Sequence, residues 1–363
     1  MRILQICSAS TIGGGERHLA DLSNSLAIRE HTLYAAVRPH SPVPHLLSQI
    51  DPANILETRM LNAADVLSAS QIAEFAKRNG IEILHAHIAR DYTFTALAAR
   101  LAGKPFVLTR HVLFPMKRLQ RFVLGRVGAV IAPSTAVFEG VRREGIMPPE
   151  RVILIHNGVD IRSFTPLERQ SGSPLVIGTI GHLGKLKGHD IFIRAAAIAS
   201  EQNRDLSFII TGEDKNPTGP ARVALEALID ELGERARVRL AGWLDDISQT
   251  LRETDIFVSA ARTEPFGLAI AESMASGIPV IATASEGASE IIVDGVSGLL
   301  VPVADPHALA DAILRLAADG ELRREMAANG RTRIVEHFSL DQMVEKTEAL
   351  YSQVIGSQSG PAS

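Results

Sequence analysis

The sequence predicts an α/β protein made of two doubly wound, Rossmann-like domains that face each other across a cleft. Three observations carry this. The chain has 363 residues, more than one hydrophobic core usually organises. Short apolar runs alternate with helical patterns in both halves, which implies parallel sheets covered by helices on both faces. The alternation is interrupted at the polar segment Pro166-Leu167-Glu168-Arg169-Gln170-Ser171-Gly172-Ser173-Pro174, which reads as a linker. Domains are therefore expected over residues 1–165 and 166–339.

In the first half, Ile3–Cys7, Thr32–Val37, Ile81–Ala86, Pro105–Thr109, Ala129–Ala132 and Val152–Ile155 read as strands. In the second half, Leu175–Ile180, Leu206–Thr211, Val238–Ala241, Asp255–Ser259, Val280–Ala282 and Leu299–Val301 do. The tail Gly356–Ser363 reads as disordered. No repeat of solenoid period is visible.

A hydrophobic content of 46% with 21% charge describes an ordinary soluble globular protein. The single cysteine, Cys7, lies in the first strand and reads as a small core residue. That usage fits a reducing, cytoplasmic setting. The N-terminus lacks a signal-peptide pattern, and no apolar run reaches the roughly 18 residues that a membrane span needs. The net charge of −4 divides into +6 over residues 1–165 and −10 over the remainder. Basic residues crowd between Arg100 and Arg126, so an acidic ligand or surface is expected to meet the N-terminal half. Nucleic acid is not an expected partner.

Glu264 and Glu272 are the most informative pair. The apolar strand at 255–259 leads into Glu264-Pro265-Phe266-Gly267-Leu268, and a helix is expected from near Gly267 through Glu272. A helix N-terminus leaves backbone N–H groups free and favours an anion. Glu264 then stands on the loop beside an anion site, while Glu272 lies one turn beyond Leu268 on the same helix face. That layout suits a ligand with phosphates at its centre and hydroxyls at both ends, as in a nucleotide-sugar.

Other strand ends carry polar chemistry. Gly13-Gly14-Gly15 follows the first strand and lets the backbone approach a ligand. The dinucleotide fingerprint fails there: its third glycine position holds His18, and the second strand is followed by Arg38 rather than an acid. His85 and His87 share one face of the third strand end. They raise a metal, but no third ligand cluster is visible in the sequence nearby. His111, after the fourth strand, can donate a hydrogen bond to a phosphate or sugar hydroxyl. In the second half, Gly181-His182-Leu183-Gly184 exposes backbone amides and Lys187 is expected to start the next helix, where it can stabilise a departing diphosphate. Gly212-Glu213 and Ser285-Glu286-Gly287 give further turns on the same edge.

These motifs line up with one family. Gly14-Gly15-x-Arg17, His85-x-His87, Asn157-Gly158-Val159-Asp160, Gly181-His182-Leu183 with Lys187-Gly188, and Glu264-Pro265-Phe266-Gly267 with Glu272 are similar to the retaining glycosyltransferases of the GT-B fold, specifically glycosyltransferase family 4. The resemblance covers nearly the whole chain and is strongest from Asn157 to Pro302. It implies an N-terminal acceptor-binding domain and a C-terminal domain that binds the nucleotide-sugar, with a closing helix at 340–356 packed back on the first. Glu264, His111 and Lys187 would be the catalytic residues. Glu272 would bind the ribose hydroxyls, and the amides of Gly267 and Leu268 the phosphates. Gly14, Gly15, His182, Gly212 and Phe266 would also contact the donor.

The implied reaction transfers a sugar from a UDP-, GDP- or ADP-sugar to a sugar or lipid-linked acceptor and retains the anomeric configuration. No metal or other cofactor is implied. This chain departs from the family at His182, where Arg is common, and at Glu286-Gly287, where Gly-Gly is common. Lys185 or Lys187 then carries more of the charge. Other readings are a GT-B sugar-nucleotide epimerase or phosphorylase and a non-catalytic nucleotide-sugar sensor; intact Glu264, Glu272 and Lys187 argue against lost activity.

One segment points to a membrane. Residues 113–126 mix large apolar side chains with Lys117, Arg118, Arg121 and Arg126. On a helix, Met116, Leu119, Phe122 and Val123 would share an apolar side, which could enter an anionic membrane surface or the core.

Overall fold

The computed structural model describes residues 1–166, 174–214, 216, 218–234, 237–244 and 246–358. Most of the expected linker, residues 167–173, and the end of the tail, residues 359–363, lie outside the described residues. The chain forms two units. One comprises Met1–Gly158 with the segment beginning at Leu340, and the other comprises Val159–Ser339. The boundary thus falls at Gly158/Val159 rather than at 165/166.

The first unit carries β1 (Arg2–Cys7), β2 (Thr32–Val37), β3 (Ile55–Glu57), β4 (Ile83–Ala86), β5 (Phe106–Thr109), β6 (Ala129–Ala132) and β7 (Val152–Leu154). Its helices are α1 (Gly14–Ile28), α2 (Val66–Arg78), α3 (Tyr92–Ala102), α4 (Arg121–Leu124) and α5 (Thr135–Glu144). The strands pair in parallel in the order β3-β2-β1-β4-β5-β6-β7. Their near-continuous apolar runs follow from burial on both faces. Leu4, Ile6, Leu84, Leu108 and Val130 join the core layer on one face, and Ile3, Cys7, Ile83, Val107 and Ile131 the layer on the other. Burial raises the Cys7 thiol well above its usual range, so it stays a neutral core group.

The second unit carries β8 (Leu175–Ile180), β9 (Leu206–Thr211), β10 (Val238–Gly242), β11 (Ile256–Ser259), β12 (Val280–Thr283) and β13 (Leu299–Val301). Among the described residues these form a parallel sheet in the order β10-β9-β8-β11-β12-β13. Its helices are α6 (His189–Gln202), α7 (Pro220–Glu231), α8 (Ser248–Glu253), α9 (Leu268–Ala275), α10 (Glu286–Ile291), α11 (Pro306–Ala318) and α12 (Gly320–His337). In each sheet the strand order reverses once, beside β1 and beside β8. Ligands of such sheets bind at the carboxyl ends of the strands at that point.

Helix α13 (Leu340–Gln358) returns to the first sheet, where Leu340, Met343, Val344, Tyr351 and Val354 join the layer that contains Ile3 and Ile83. It runs unbroken through Gly356–Gln358, so these residues are helical where a disordered tail is expected from the sequence. Hydrogen bonds tie it down at His85 Nδ1–Tyr351 Oη (2.5 Å) and His31 Nε2–Glu348 Oε1 (2.9 Å). His85 Nε2 meets Thr109 Oγ1 at 2.8 Å, and His87 Nε2 meets Gln5 Oε1 at 2.8 Å. A polar layer is thereby enclosed between the sheet and α13.

β3 is absent from the sequence reading. It is three residues long, half-exposed, and lies at the sheet edge, so no apolar alternation announces it. Segment 113–126 is not one amphipathic helix. A 3-10 turn at Arg118–Gln120 leads into the single turn α4, with Met116 and Leu124 buried and Phe114, Phe122 and Val123 outward.

The enclosed histidines set a pH dependence. Burial lowers His18 and His189 to about 4, and holds His85, His87 and His111 well below their ordinary value. The unfolded chain takes up these protons from about pH 6.5 downward, the fold only near pH 4 or below. Their contribution is therefore complete above about pH 6.5 and is lost as the pH falls toward 4. At about 1.4 kcal/mol per unit, His18 alone accounts for on the order of 3 kcal/mol. Asp91, raised by burial to about 6, opposes this, because protonation relieves its buried charge. Five histidines outweigh one carboxyl. Thermal melts should show Tm falling steadily from about pH 7 to about pH 5, with a shallower fall in His18→Gln. A flat or rising profile would mean that these imidazoles are not neutral in the fold.

Candidate active site

In the second unit, two loops from distant parts of the chain meet at the strand ends. After β8, Gly181–Gly184 turns into a 3-10 segment, Lys185–Lys187, and α6 begins only at His189. Lys187 therefore stands on a tight turn before the helix rather than at its start. After β11, the segment Ala260–Gly267 leads to α9. Lys187 Nζ donates to Glu264 Oε2 at 2.5 Å, linking residues 77 apart.

A second ion pair holds those loops together. Arg262 grips Asp190 with both guanidinium arms, at 2.8 and 2.6 Å. The same Arg262 donates from Nη1 to Lys185 O and from its backbone to Leu186 O. Hydrogen bonding from Arg262 holds the Asp190 carboxyl below its usual range. Planar, bidentate recognition of this kind fixes direction as well as charge. Neither residue is marked by a sequence motif, and the pairing emerges only when the two loops fold together.

Glu286, from α10, supports the Glu264 loop from its other side. Its Oε2 accepts from Thr263 Oγ1 at 3.1 Å and from the Glu264 backbone N–H at 3.2 Å. Gly287 N–H in turn donates to Glu264 O at 2.8 Å. Glu286 therefore acts here as a brace for the loop.

Gly267 precedes α9 with φ +108°, a conformation that favours glycine, and turns the chain into the helix. Leu268 then opens the first turn, and Glu272 lies one turn on, only 4% exposed. The Phe266 ring packs edge-on against Phe338 in the core, which leaves its backbone rather than its ring at the loop. Gly212, which follows β9, lies so close to the Gly181 carbonyl that a Cβ would stand 1.8 Å from the oxygen. His182 stacks on Trp243 with ring centroids 5.4 Å apart and planes 14° from parallel. His189 Nε2 lies 3.2 and 3.3 Å from the carbonyl oxygens of His182 and Gly181, which orders the same turn from below.

The first unit gathers the remaining expected residues. Gly14 and Gly15 open α1, and a Cβ on Gly15 would lie 3.3 Å from His111 Cδ2. His18, one turn into α1, stacks edge-on against His111 at 4.7 Å between centroids. His87 joins them, and ligand nitrogens of His18, His87 and His111 all lie within 4.8 Å of one another. A third histidine near His87 therefore does exist; it comes from α1, where the sequence shows only a missing glycine. His85 turns away to Tyr351 and Thr109. His87 Nδ1 and His111 Nε2 have no hydrogen-bond partner among the described residues. Lys187 and Glu264 thus belong to one unit and His111 to the other.

Comparison with known proteins agrees with this architecture. The model for Glycosyltransferase Family 4 matches residues 12–163, and that for Glycosyl transferases group 1 matches residues 165–333. N-acetyl-alpha-D-glucosaminyl L-malate synthase of Bacillus anthracis is 27% identical, with 95% of each chain covered. The lipopolysaccharide core biosynthesis glycosyltransferase LpsE of Rhizobium meliloti is 28% identical, covering 95% of this chain and 96% of that one. The crystal structure of Anabaena HepE in complex with UDP-glucose superposes with a TM-score of 0.86 at 23% identity, covering 97% of this chain and all of the other. Two Rossmann-like units on parallel sheets are the GT-B fold. The two models together cover most of the chain, which belongs to the family 4 glycosyltransferases.

Proposed function

We propose that this enzyme is a retaining glycosyltransferase that moves a hexosyl group from a nucleotide-diphospho-sugar to an acceptor hydroxyl in envelope polysaccharide, lipopolysaccharide or glycolipid synthesis. The observation that carries the proposal is the Lys187–Glu264 pair at the ends of β8 and β11, one loop away from buried Glu272. Relatives named for lipopolysaccharide core synthesis support the process, and the UDP-glucose complex of HepE makes a UDP-sugar the first donor to test.

Each residue has a role in this mechanism. Glu272 holds the ribose hydroxyls, and the backbone amides of Gly267 and Leu268 meet the diphosphate at the start of α9. Lys187 exchanges its carboxylate partner for the more highly charged phosphate and stabilises the charge that grows as the sugar–oxygen bond breaks. The acceptor hydroxyl attacks from the face the phosphate leaves, and its proton passes to a departing phosphate oxygen. Glu264 faces the donor sugar at its reacting carbon. His111, kept neutral by burial, offers a hydrogen bond to the phosphate or a sugar hydroxyl. Lys187 and the helix start replace a metal at the diphosphate.

Two measurements test the donor site. Glu272→Ala should keep the fold and weaken free-nucleotide binding by about 1.5–3 kcal/mol in calorimetry; unchanged affinity would remove the ribose assignment. Lys187→Ala should lower kcat by roughly 10²–10³, far more than Lys185→Ala. In the same assay a chelator should leave wild-type turnover intact. Loss of turnover restored by a divalent ion would overturn the metal-free reading.

The proposal extends to location: the enzyme docks on the cytoplasmic face of an anionic membrane. No helix among the described residues is long and apolar enough to cross one. Phe114 and Phe122 stand 66% and 74% exposed, beside Lys117, Arg118, Arg121 and Arg126. Exposed aromatic side chains ringed by cations suit an interface rather than water. In liposome flotation the protein should rise with anionic vesicles at low salt, and lose binding at high salt and in Lys117→Glu/Arg121→Glu. Failure to float on anionic vesicles at low salt would leave a soluble acceptor.

A further inference from the structure

We propose that His18, His87 and His111 form a binding site for a transition-metal dication, zinc above all, and that the bound ion switches the enzyme off. The three rings come from α1 and from the ends of β4 and β5, three separate places in the chain. Their ligand nitrogens, one from each ring, lie within 4.8 Å of one another. Both nitrogens of His18, Nδ1 of His87 and Nε2 of His111 are buried with no hydrogen-bond partner among the described residues. His18 is 4% exposed and His87 2%. A buried polar atom without a partner is costly, so four of them in one cluster call for a ligand.

The neighbours prepare His87 for this role. Its Nε2 meets Gln5 Oε1 at 2.8 Å, and an amide oxygen only accepts, so Nε2 carries the proton. The lone pair is then on Nδ1, the atom that meets no protein group. Metal-binding histidines are commonly oriented by such a bond from the other ring nitrogen. His85 packs on His87 at 4.0 Å between centroids, but Thr109 and Tyr351 hold it outside the set. Gly15 gives His111 room to approach α1, since a Cβ there would stand 3.3 Å from the His111 ring. Asn157 adjoins His18 with its Oδ1 also unpartnered, which suits a water in a fourth position.

The donor set selects the ion. Three neutral imidazoles with one open position suit zinc, cobalt, nickel or copper, whereas magnesium and calcium take oxygen ligands. Zinc–nitrogen bonds of about 2.0–2.1 Å put tetrahedral ligand atoms about 3.3 Å apart. The rings therefore close by at most about 1.5 Å, through small turns of the His18 and His111 side chains. His111 is partly exposed, which gives the ion its entry at the strand ends. An ion on His111 Nε2 takes a nitrogen that would otherwise meet a phosphate or sugar hydroxyl. That inhibition rests on the role given to His111 above; the metal binding itself does not.

The full-length protein, stripped with a chelator, tests this. Cobalt(II) should bind in one equivalent and give the visible absorption of a low-coordinate, nitrogen-ligated ion, which zinc then displaces. Zinc should also raise the wild-type Tm, and magnesium should do neither. In calorimetry, His18→Gln and His87→Gln should each weaken zinc binding more than about 100-fold, beyond the loss usual for an outer-shell partner. His45→Gln, at an exposed histidine, should leave it unchanged. Zinc should abolish wild-type turnover and a chelator restore it, while His18→Gln should resist zinc relative to its own metal-free rate. Circular dichroism checks the variants; where one fails to fold, the wild-type cobalt spectrum and an anomalous zinc peak among the three rings decide. No cobalt absorption in wild type, or unaltered zinc affinity in folded His18→Gln and His87→Gln, would overturn the site and leave the cluster to water. Zinc held by these rings without loss of turnover would overturn the switch and remove His111 from the reaction. No turnover of any donor by the metal-free protein would overturn the transferase reading and leave the metal site standing.

Discussion

The bidentate contact between Arg262 and Asp190 is the constraint on which the second unit's strand-end site depends. It ties the turn after β8 to the loop after β11, across 72 residues of sequence. Lys187 and Glu264 then meet as consequences of that tie, one on each loop. Without it, two short polar loops would have to find a single geometry against the conformational entropy of both. Because Arg262 also bonds the carbonyl of Lys185, the guanidinium holds the backbone of the lysine turn as well as its charge. The carboxylate of Glu286 completes the frame from α10, so the Glu264 backbone is held from two sides.

The first unit solves a different problem. Its sheet buries imidazoles where other positions of the same strands carry Ile, Leu and Val. An unpartnered buried polar group is costly, so these groups are arranged as a layer. His85 is satisfied by Thr109 and by Tyr351, a residue from the far end of the sequence. The closing helix therefore does more than cover apolar surface: it supplies a hydrogen bond that the sheet cannot make alone. Desolvation keeps the rings neutral, which leaves them as hydrogen-bonding groups rather than cations at the strand ends.

Departures from the sequence reading each have a physical cause. β3 is an edge strand that gains only one neighbour, so its residues carry little apolar signal. Segment 113–126 has enough apolar residues for an amphipathic helix, but Met116 and Leu124 are drawn into the core and the chain between them is broken into single turns. Lys187 sits in a 3-10 turn because Gly188, in left-handed conformation, separates it from α6. The unit boundary lies at Gly158 because Val159 already bonds to Phe338 in the second unit, before the polar, proline-bearing stretch begins. At Met116, Leu124 and Val159 a long-range contact outweighed the local pattern.

The sequence by itself determined the fold class, twelve of the strands, the glycine turns and the Glu264–Glu272 spacing. These depend on periodicity and on residues close together in the chain, which a one-dimensional pattern records. Only the tertiary structure decided that Arg262 grips Asp190, that Glu286 braces the Glu264 loop, that His18 completes a histidine group with His87 and His111, and that Trp243 lies on His182. Each of these joins separate elements through side chains whose partners are set by strand order. A parallel sheet brings the ends of its strands to one edge whatever lies between them in sequence, and no local rule carries that information.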